Sequence, residues 1–158
     1  LTKQRSALSL SDEWETPKDV YDQLCYGYGV FPELDVSATK ENKKCEMWLS
    51  EKDDSLKKEW TKYGTTSIVN VVDVWCNPPH SKTEAFVRKA IREWKKYNMN
   101  IMMIIPANSI CTKYAEQCIE PHAEYHPIFF RPKFLRDGVP SKDPARNAYF
   151  VVIWRRRE

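Results

Sequence analysis

Glycine is scarce in this chain, with four residues in 158, and no glycine-rich phosphate loop is present. A fold that cradles a pyrophosphate on such a turn is therefore not expected. The five cysteines, at 25, 45, 76, 111 and 118, are odd in number and include no Cys-x-x-Cys pair. That argues against a disulfide framework or a zinc ribbon and favours an intracellular, reducing setting. No apolar run reaches membrane-spanning length and no signal peptide is visible, so no membrane association is expected. Repeats and low-complexity tracts are absent. Charge imbalance is also small: the net +3 permits nucleic-acid binding without arguing for it. What remains, 42% hydrophobic and 30% charged residues, describes a globular chain of one-domain size.

The most informative stretch is Val71-Val72-Asp73-Val74-Trp75-Cys76-Asn77-Pro78-Pro79-His80-Ser81. Ile68 to Trp75 is valine-rich and bounded by turn residues, which predicts a buried strand. Pro78 and Pro79 lack amide hydrogens and end the ladder. Ser81 with Glu84 reads as a capping box that starts a helix at once. A polar turn thus stands at the carboxyl end of a strand, where α/β sheets hold their ligands. Asn77 offers a side-chain carbonyl, and Pro79 holds Pro78 extended, which fixes the direction of the Pro78 carbonyl. Two fixed acceptors suit a planar amine such as the 6-amino group of adenine, and a flat residue at position 80 can stack on its ring. This resembles the (Asp/Asn)-Pro-Pro-(aromatic) motif of amino-methyltransferases that use S-adenosylmethionine. A strand-ending turn without chemistry is the plain alternative.

The flanking chain supplies further candidates. Residues 1–13 read as a flexible lead-in. Thr16 and Pro17 predict the N-cap and first residue of a helix carrying Val20, Tyr21, Leu24 and Cys25 on one face, ended by Gly27 and Gly29. Trp14 is a hydrophobic anchor at its entry. Leu34 to Val36 predicts a short strand containing Asp35, a carboxylate that needs a ligand ammonium or backbone amides if it is buried. Met47 to Leu49 is another short strand. Asp53-Asp54-Ser55 then opens a helix through Leu56, Trp60 and Tyr63 to Gly64; its acidic start suits either the helix dipole or a ribose. Lys82 to Tyr97 is a clear helix with an apolar stripe and a basic face of Lys82, Arg88, Lys89, Arg92, Lys95 and Lys96. Ile101 to Ile105 is a strand whose exit, Pro106 to Ser109, could wall the site, and Tyr114 to Ile119 is a short helix. Cys118, His122 and His126 have a spacing that invites a metal, but Pro121 and Pro127 break the helix it needs, so no metal is expected. Ile128 to Phe130 and Ala148 to Trp154 are strands, and residues 137–146 a loop. Arg131 to Arg136 interleaves basic and aromatic residues, as either a phosphate-tracking surface or a solvated one. Arg155 to Arg157 is a basic tail.

In order along the chain, Trp14-x-Thr16-Pro17, Leu34-Asp35-Val36-Ser37-Ala38, Asn42-x-Lys44-Cys45, Asp53-Asp54-x-Leu56, Trp60, Trp75-Cys76-Asn77-Pro78-Pro79, Pro106-Ala107 and Arg131-x-x-Phe134 together resemble the phage-type, Dam-like DNA adenine-N6 methyltransferases. The resemblance implies one α/β domain over residues 14–158. Its fold would be a Rossmann-like S-adenosylmethionine-dependent methyltransferase, three-layer α/β/α with a mostly parallel mixed sheet. It implies S-adenosylmethionine bound by Trp14, Thr16, Pro17, Asp35 and Ser37 near the methionine end and by Asp53 or Asp54 near the ribose and adenine. Asn77, Pro78, Pro79 and His80 would be catalytic, and Lys82, Arg131, Lys133 and Arg136 would meet double-stranded DNA whose target adenine is flipped out. A host-cell setting, phage or mobile-element encoded, follows from the same likeness. The chain departs from the family pattern twice, with His80 where Tyr, Phe or Trp is usual and Ser55 within Asp-Gly-Leu. Imidazole stacks with less area than a phenol and its charge is pH-sensitive. Two other readings therefore stand beside DNA-adenine methylation: a cofactor- or nucleic-acid-binding relative without turnover, and a methyltransferase for another planar amine, such as RNA adenine or glutamine.

Overall fold

The computed structural model describes residues 14–63, 73–130, 132–143 and 148–158. The lead-in over residues 1–13, strand residues 68–72, the Gly64 helix stop, Arg131 and loop residues 144–147 lie outside the described residues.

Six strands form one sheet, in the order β2 (Met47–Trp48), β1 (Leu34–Asp35), β3 (Val74–Cys76), β4 (Ile101–Pro106), β8 (Tyr149–Trp154) and β5 (Glu124–Ile128). The pairs β1·β2, β1·β3 and β3·β4 run parallel. β8 is antiparallel to both its neighbours, so β5 points the same way as β4. The carboxyl ends of β1, β3, β4 and β5 therefore share one edge with the amino end of β8. The fold is mixed α/β.

β4 is buried along its whole length, which is why Ile101 to Ile105 reads as a continuous apolar run rather than an alternating one. Ile101, Met103 and Ile105 pack in one cluster with Phe86, Val87, Ala90, Ile91 and Trp94 of α2 (Thr83–Tyr97) and Ala115 and Cys118 of α3 (Lys113–Cys118). Met102 and Ile104 belong to a second cluster with Val20, Tyr21, Leu24 and Cys25 of α1 (Lys18–Tyr28). The period-two alternation of the strand sends successive side chains to the two clusters. Each fully buried aliphatic side chain contributes roughly 1.5–3 kcal/mol, so this strand is the main apolar anchor of the sheet.

Several sequence expectations shift in detail. α1 begins at Lys18 with Pro17 at the N-cap, and Thr16 makes no capping bond. Its end is at Gly29, whose φ of 66° is left-handed, so Gly27 lies inside the helix rather than ending it. The Ser81–Glu84 capping box does not form: residues His80–Lys82 make a 3-10 turn closed by the Lys82 amide on the Pro79 carbonyl at 2.8 Å. Glu84 instead holds Arg88 at 3.1 Å. The helix expected from Asp53 splits into two 3-10 turns, Glu51–Asp53 and Trp60–Tyr63, because Asp54 takes a left-handed φ of 52°. A hairpin of β6 (Leu135–Arg136) with β7 (Val139–Pro140) runs into the loop expected over 137–146, and β5 starts and ends earlier than expected. Asp137 and Gly138 both have positive φ, 51° and 75°. Consecutive positive φ is what an Asp-Gly two-residue hairpin turn uses.

Lys89 also leaves the basic face assigned to it. It is buried with Glu93, and the two form an ion pair one helical turn apart. Glu93 further accepts the Trp60 amide at 3.4 Å, and the Trp60 indole donates to the Ser55 carbonyl at 2.9 Å. The pair thus ties the chain after β2 to α2. Removing one partner of a buried pair strands the other charge, so Glu93→Ala should cost about 3–5 kcal/mol in urea unfolding. A loss under about 1 kcal/mol would show that water already reaches Lys89.

Candidate active site

The shared edge of the sheet opens into a cavity of about 620 Å³. Its walls are Trp14, Glu15 and Thr16 at the entry to α1; Asp35, Ser37, Thr39, Glu41, Asn42 and Lys44 after β1; Asn77 and Pro79 after β3; and the hairpin turn Asp137-Gly138. A smaller cavity of about 170 Å³ shares Ser37, Thr39, Asn42 and Pro79, and extends over Ser50, Glu51, Asp54, Ser55 and Lys82. A third, about 290 Å³, lies on the other side of the turn between His80, Thr83, Pro106, Asn108, Ser109, Thr112 and Tyr114. The exit of β4 lines this third cavity and not the large one.

Asp35 is only 2% exposed. Backbone amides supply its partners: Ser37 N donates to Oδ1 at 3.2 Å and Lys44 N to Oδ2 at 3.0 Å. The loop that brings Lys44 back is closed by a reciprocal pair, the Thr39 amide on Asn42 Oδ1 at 2.7 Å and the Asn42 amide on Thr39 Oγ1 at 3.3 Å. Burial pushes the Asp35 carboxyl up to about 6, against the pull of those two amides and the Lys44 charge. Burial also raises the Glu15 carboxyl and lowers the Lys44 ammonium, the latter opposed by Asp35 and Glu15. Two carboxylates and an ammonium, all under desolvation, line one cavity. Thr16 adds a buried hydroxyl that, among the described residues, has no hydrogen-bond partner, on the same wall. Such a set suits a ligand end that carries both an ammonium and a carboxylate.

Asn77 is oriented from across the cavity. Its Nδ2 donates to the Trp14 carbonyl at 3.2 Å, which commits the amide nitrogen and leaves Oδ1 as the acceptor. Trp14 is itself held, with the Arg136 guanidinium 4.5 Å from its ring centroid. Glu15 and Leu135 exchange backbone bonds of 2.7 and 2.8 Å, so the hairpin is fastened to the entry of α1. Pro78 is buried behind the turn, while Pro79 reaches both the large and the small cavity. His80 is half-buried, its Nε2 3.3 Å from the Tyr149 hydroxyl.

The remaining sequence candidates divide. Asp54 lines the smaller cavity, whereas the Asp53 carboxylate takes the Ser50 amide at 2.7 Å and hydroxyl at 2.8 Å and serves the turn. Pro17 is not on the cavity wall and acts through the placement of Thr16. Lys82 lines the smaller cavity, Lys133 is exposed, and Arg136 covers Trp14. In the tail, Arg157 caps α2 on the Trp94 and Lys95 carbonyls and Arg155 pairs with Glu124. His126 stacks on Tyr28 at 4.9 Å and bonds Glu124, while His122 lies 5.8 Å from Trp94. Sequence reasoning missed Glu15, Asp137 and Tyr149 at the site. The Asp-Gly dipeptide could have signalled the hairpin, but nothing local marks Tyr149.

The Asp35 environment has a measurable consequence. A carboxyl raised from its ordinary value to about 6 is protonated more readily in the folded than in the unfolded chain. The folded state is then favoured at low pH, and this contribution is lost as pH rises from about 4 through about 6. Unfolding by urea at pH 4.5 and 7.5 should show wild type losing stability over that interval relative to Asp35→Asn. Parallel pH profiles would mean that Asp35 is hydrated in solution.

The chain is similar to known proteins. A family model described as DNA N-6-adenine-methyltransferase (Dam) matches residues 3–157. A DNA N-6-adenine-methyltransferase of Escherichia phage T1 is 36% identical over 145 residues, covering 92% of this chain and 55% of the relative. One of Haemophilus phage HP1 (strain HP1c1) is 25% identical over 120 residues, covering 75% of this chain and 63% of the relative. The chain therefore spans less than two thirds of the length of either curated relative. With the match extending over nearly its whole length, the chain belongs to the DNA N-6-adenine-methyltransferase (Dam) family.

Proposed function

We propose that this chain methylates the 6-amino group of adenine in double-stranded DNA, using S-adenosylmethionine, with the target base turned out of the duplex into the site. The observation that carries this reading is the Asn77 amide, whose nitrogen is tied to the Trp14 carbonyl at the rim of the large cavity. Its oxygen is thereby held as an acceptor just past the end of β3, one residue before Pro78. Bound S-adenosylmethionine supplies an electrophilic methyl group. Thr16, Asp35, Ser37 and Lys44 hold its amino-acid end, and Asp54 with Glu51 meets the ribose in the adjoining smaller cavity. Asp53 supports that turn, Trp14 lines the entrance, and Pro17 places Thr16. We read the whole as a Rossmann-like three-layer methyltransferase, supported by separate apolar clusters holding α1 and the α2–α3 pair.

Asn77 Oδ1 and the Pro78 carbonyl accept the two amine hydrogens, which draws the nitrogen lone pair out of conjugation with the purine. As the nitrogen takes the methyl, the methyl–sulfur bond breaks with its electron pair kept by the departing S-adenosylhomocysteine. The nitrogen becomes cationic, and the same acceptors stabilise that charge until one proton passes to water. His80 stacks on the base. Lys82 and Lys133 approach the phosphates, while Arg136 acts through Trp14.

Labelled methyl transfer from S-adenosylmethionine to unmethylated DNA, RNA and protein pools tests the reading. Label should appear in DNA as N6-methyladenine. Cofactor binding with no transfer would instead favour a binding protein, the reading that His80 at the aromatic position brings forward; label in RNA or glutamine would favour another amine. Asn77→Ala should lower kcat by about 10²–10³-fold, as loss of one transition-state acceptor does, with cofactor affinity unchanged by calorimetry. Weaker cofactor binding with intact kcat would reassign Asn77 to the cofactor. For the duplex, affinity should fall steeply with salt, and Lys133→Ala should reduce the log–log slope by about 1. An unaltered slope would return Lys133 to the solvated surface.

A further inference from the structure

We infer that Tyr149 is a positioning residue for this reaction: its hydroxyl holds the His80 imidazole as a neutral ring in one orientation, so that histidine can serve where an aromatic residue is usual. The inference rests on the proposed methyl transfer and concerns the side chain that departs from the family pattern.

Tyr149 is the first residue of β8 and is 4% exposed. It is paired on both sides, with Pro106 of β4 and Ile128 of β5, so its backbone cannot drift. Phe134 packs on its ring at a centroid distance of 4.8 Å. From this fixed place its hydroxyl lies 3.3 Å from His80 Nε2, with the two rings 6.0 Å apart and tilted by 42°.

The direction of that hydrogen bond bears on the charge of His80. Burial pushes the Tyr149 phenol up to about 12, so it keeps its proton through neutral pH. Among the described residues His80 is its only hydrogen-bond partner. If His80 were an imidazolium, Nε2 would donate, and the buried phenol proton would be left without an acceptor. With the phenol donating, Nε2 accepts and the ring is neutral with its proton on Nδ1. The chemistry needs that state. The target amine becomes cationic as it takes the methyl, and a cationic ring stacked on the same base would oppose the reaction, as like charges do. A phenol or indole at position 80 would carry no such risk and would need no tyrosine behind it.

The experiment is a double-mutant cycle with a spectroscopic arm. Tyr149→Phe keeps the ring on Phe134 and removes the donor; it should lower kcat about tenfold with S-adenosylmethionine affinity unchanged. In the His80→Tyr background the same change should alter kcat by less than about twofold. Equal losses in both backgrounds would make Tyr149 a packing residue, and no loss in either would leave it without a role; both overturn the inference. Independently of activity, nitrogen-15 NMR of the wild-type protein at pH 7 should show His80 Nε2 unprotonated and accepting, and Nδ1 protonated. Tyr149→Phe should shift both resonances towards a tautomer mixture. A wild-type ring that is charged or protonated on Nε2 overturns the inference. If no variant methylates DNA, the proposed function fails, and the nitrogen shifts still decide the role of Tyr149.

Discussion

Two consecutive residues without amide hydrogens, Pro78 and Pro79, impose the constraint from which the site follows. β3 is held between β1 and β4, and its ladder stops at Cys76. The chain then leaves the sheet in an extended turn, with Pro79 at φ −53° and ψ 135°, and tightens into the 3-10 turn that starts α2. Asn77 is the last residue before the prolines, so its side chain emerges at the wall of the large cavity. The direction of its amide is set by chain 63 residues away, through the Trp14 carbonyl.

That long-range bond gives the hairpin β6–β7 its importance. The hairpin adds nothing to the main sheet. It pairs with Glu15, and its Arg136 covers the Trp14 indole, an attraction worth about 0.5–2 kcal/mol depending on desolvation. Together these hold the segment that orients Asn77 and close one side of the large cavity with Asp137 and Gly138. A basic residue that sequence patterning assigns to phosphate contact thus has work inside the protein.

The electrostatics of the cavity oppose stability in the absence of a ligand. Asp35, Glu15 and Lys44 are each pushed towards neutrality by burial. Functional sites collect such groups because a ligand of complementary charge repays the desolvation. In the apolar clusters, by contrast, the buried Lys89–Glu93 pair is satisfied within the protein and marks a structural joint.

Some of this was legible from local sequence because its causes are local. β4 is apolar on both faces, and its run of isoleucine and methionine shows it directly. α2 carries its stripe at helical spacing, Gly29 supplies a left-handed stop, and two prolines must end a strand wherever they stand. Asp35 stood out as a carboxylate within an apolar segment, and the shared edge of the sheet brings it to one cavity with Thr16 and Asn77. Other features depended on contacts between distant segments. Lys89 looked solvent-facing until Trp60 and Glu93 covered it, and Asp53 and Asp54 differ only because one caps Ser50 while the other turns left-handed into a cavity. Arg157 reads as part of a basic tail, yet the end of α2 supplies the carbonyls it caps. His80 and Tyr149 are 69 residues apart and meet only because β8 runs antiparallel to β4 and starts at the edge where β3 ends. Periodicity and turn chemistry act over a few residues and leave their mark in the sequence; strand direction and register act across the whole chain, and only the folded sheet decided which side chains they brought together.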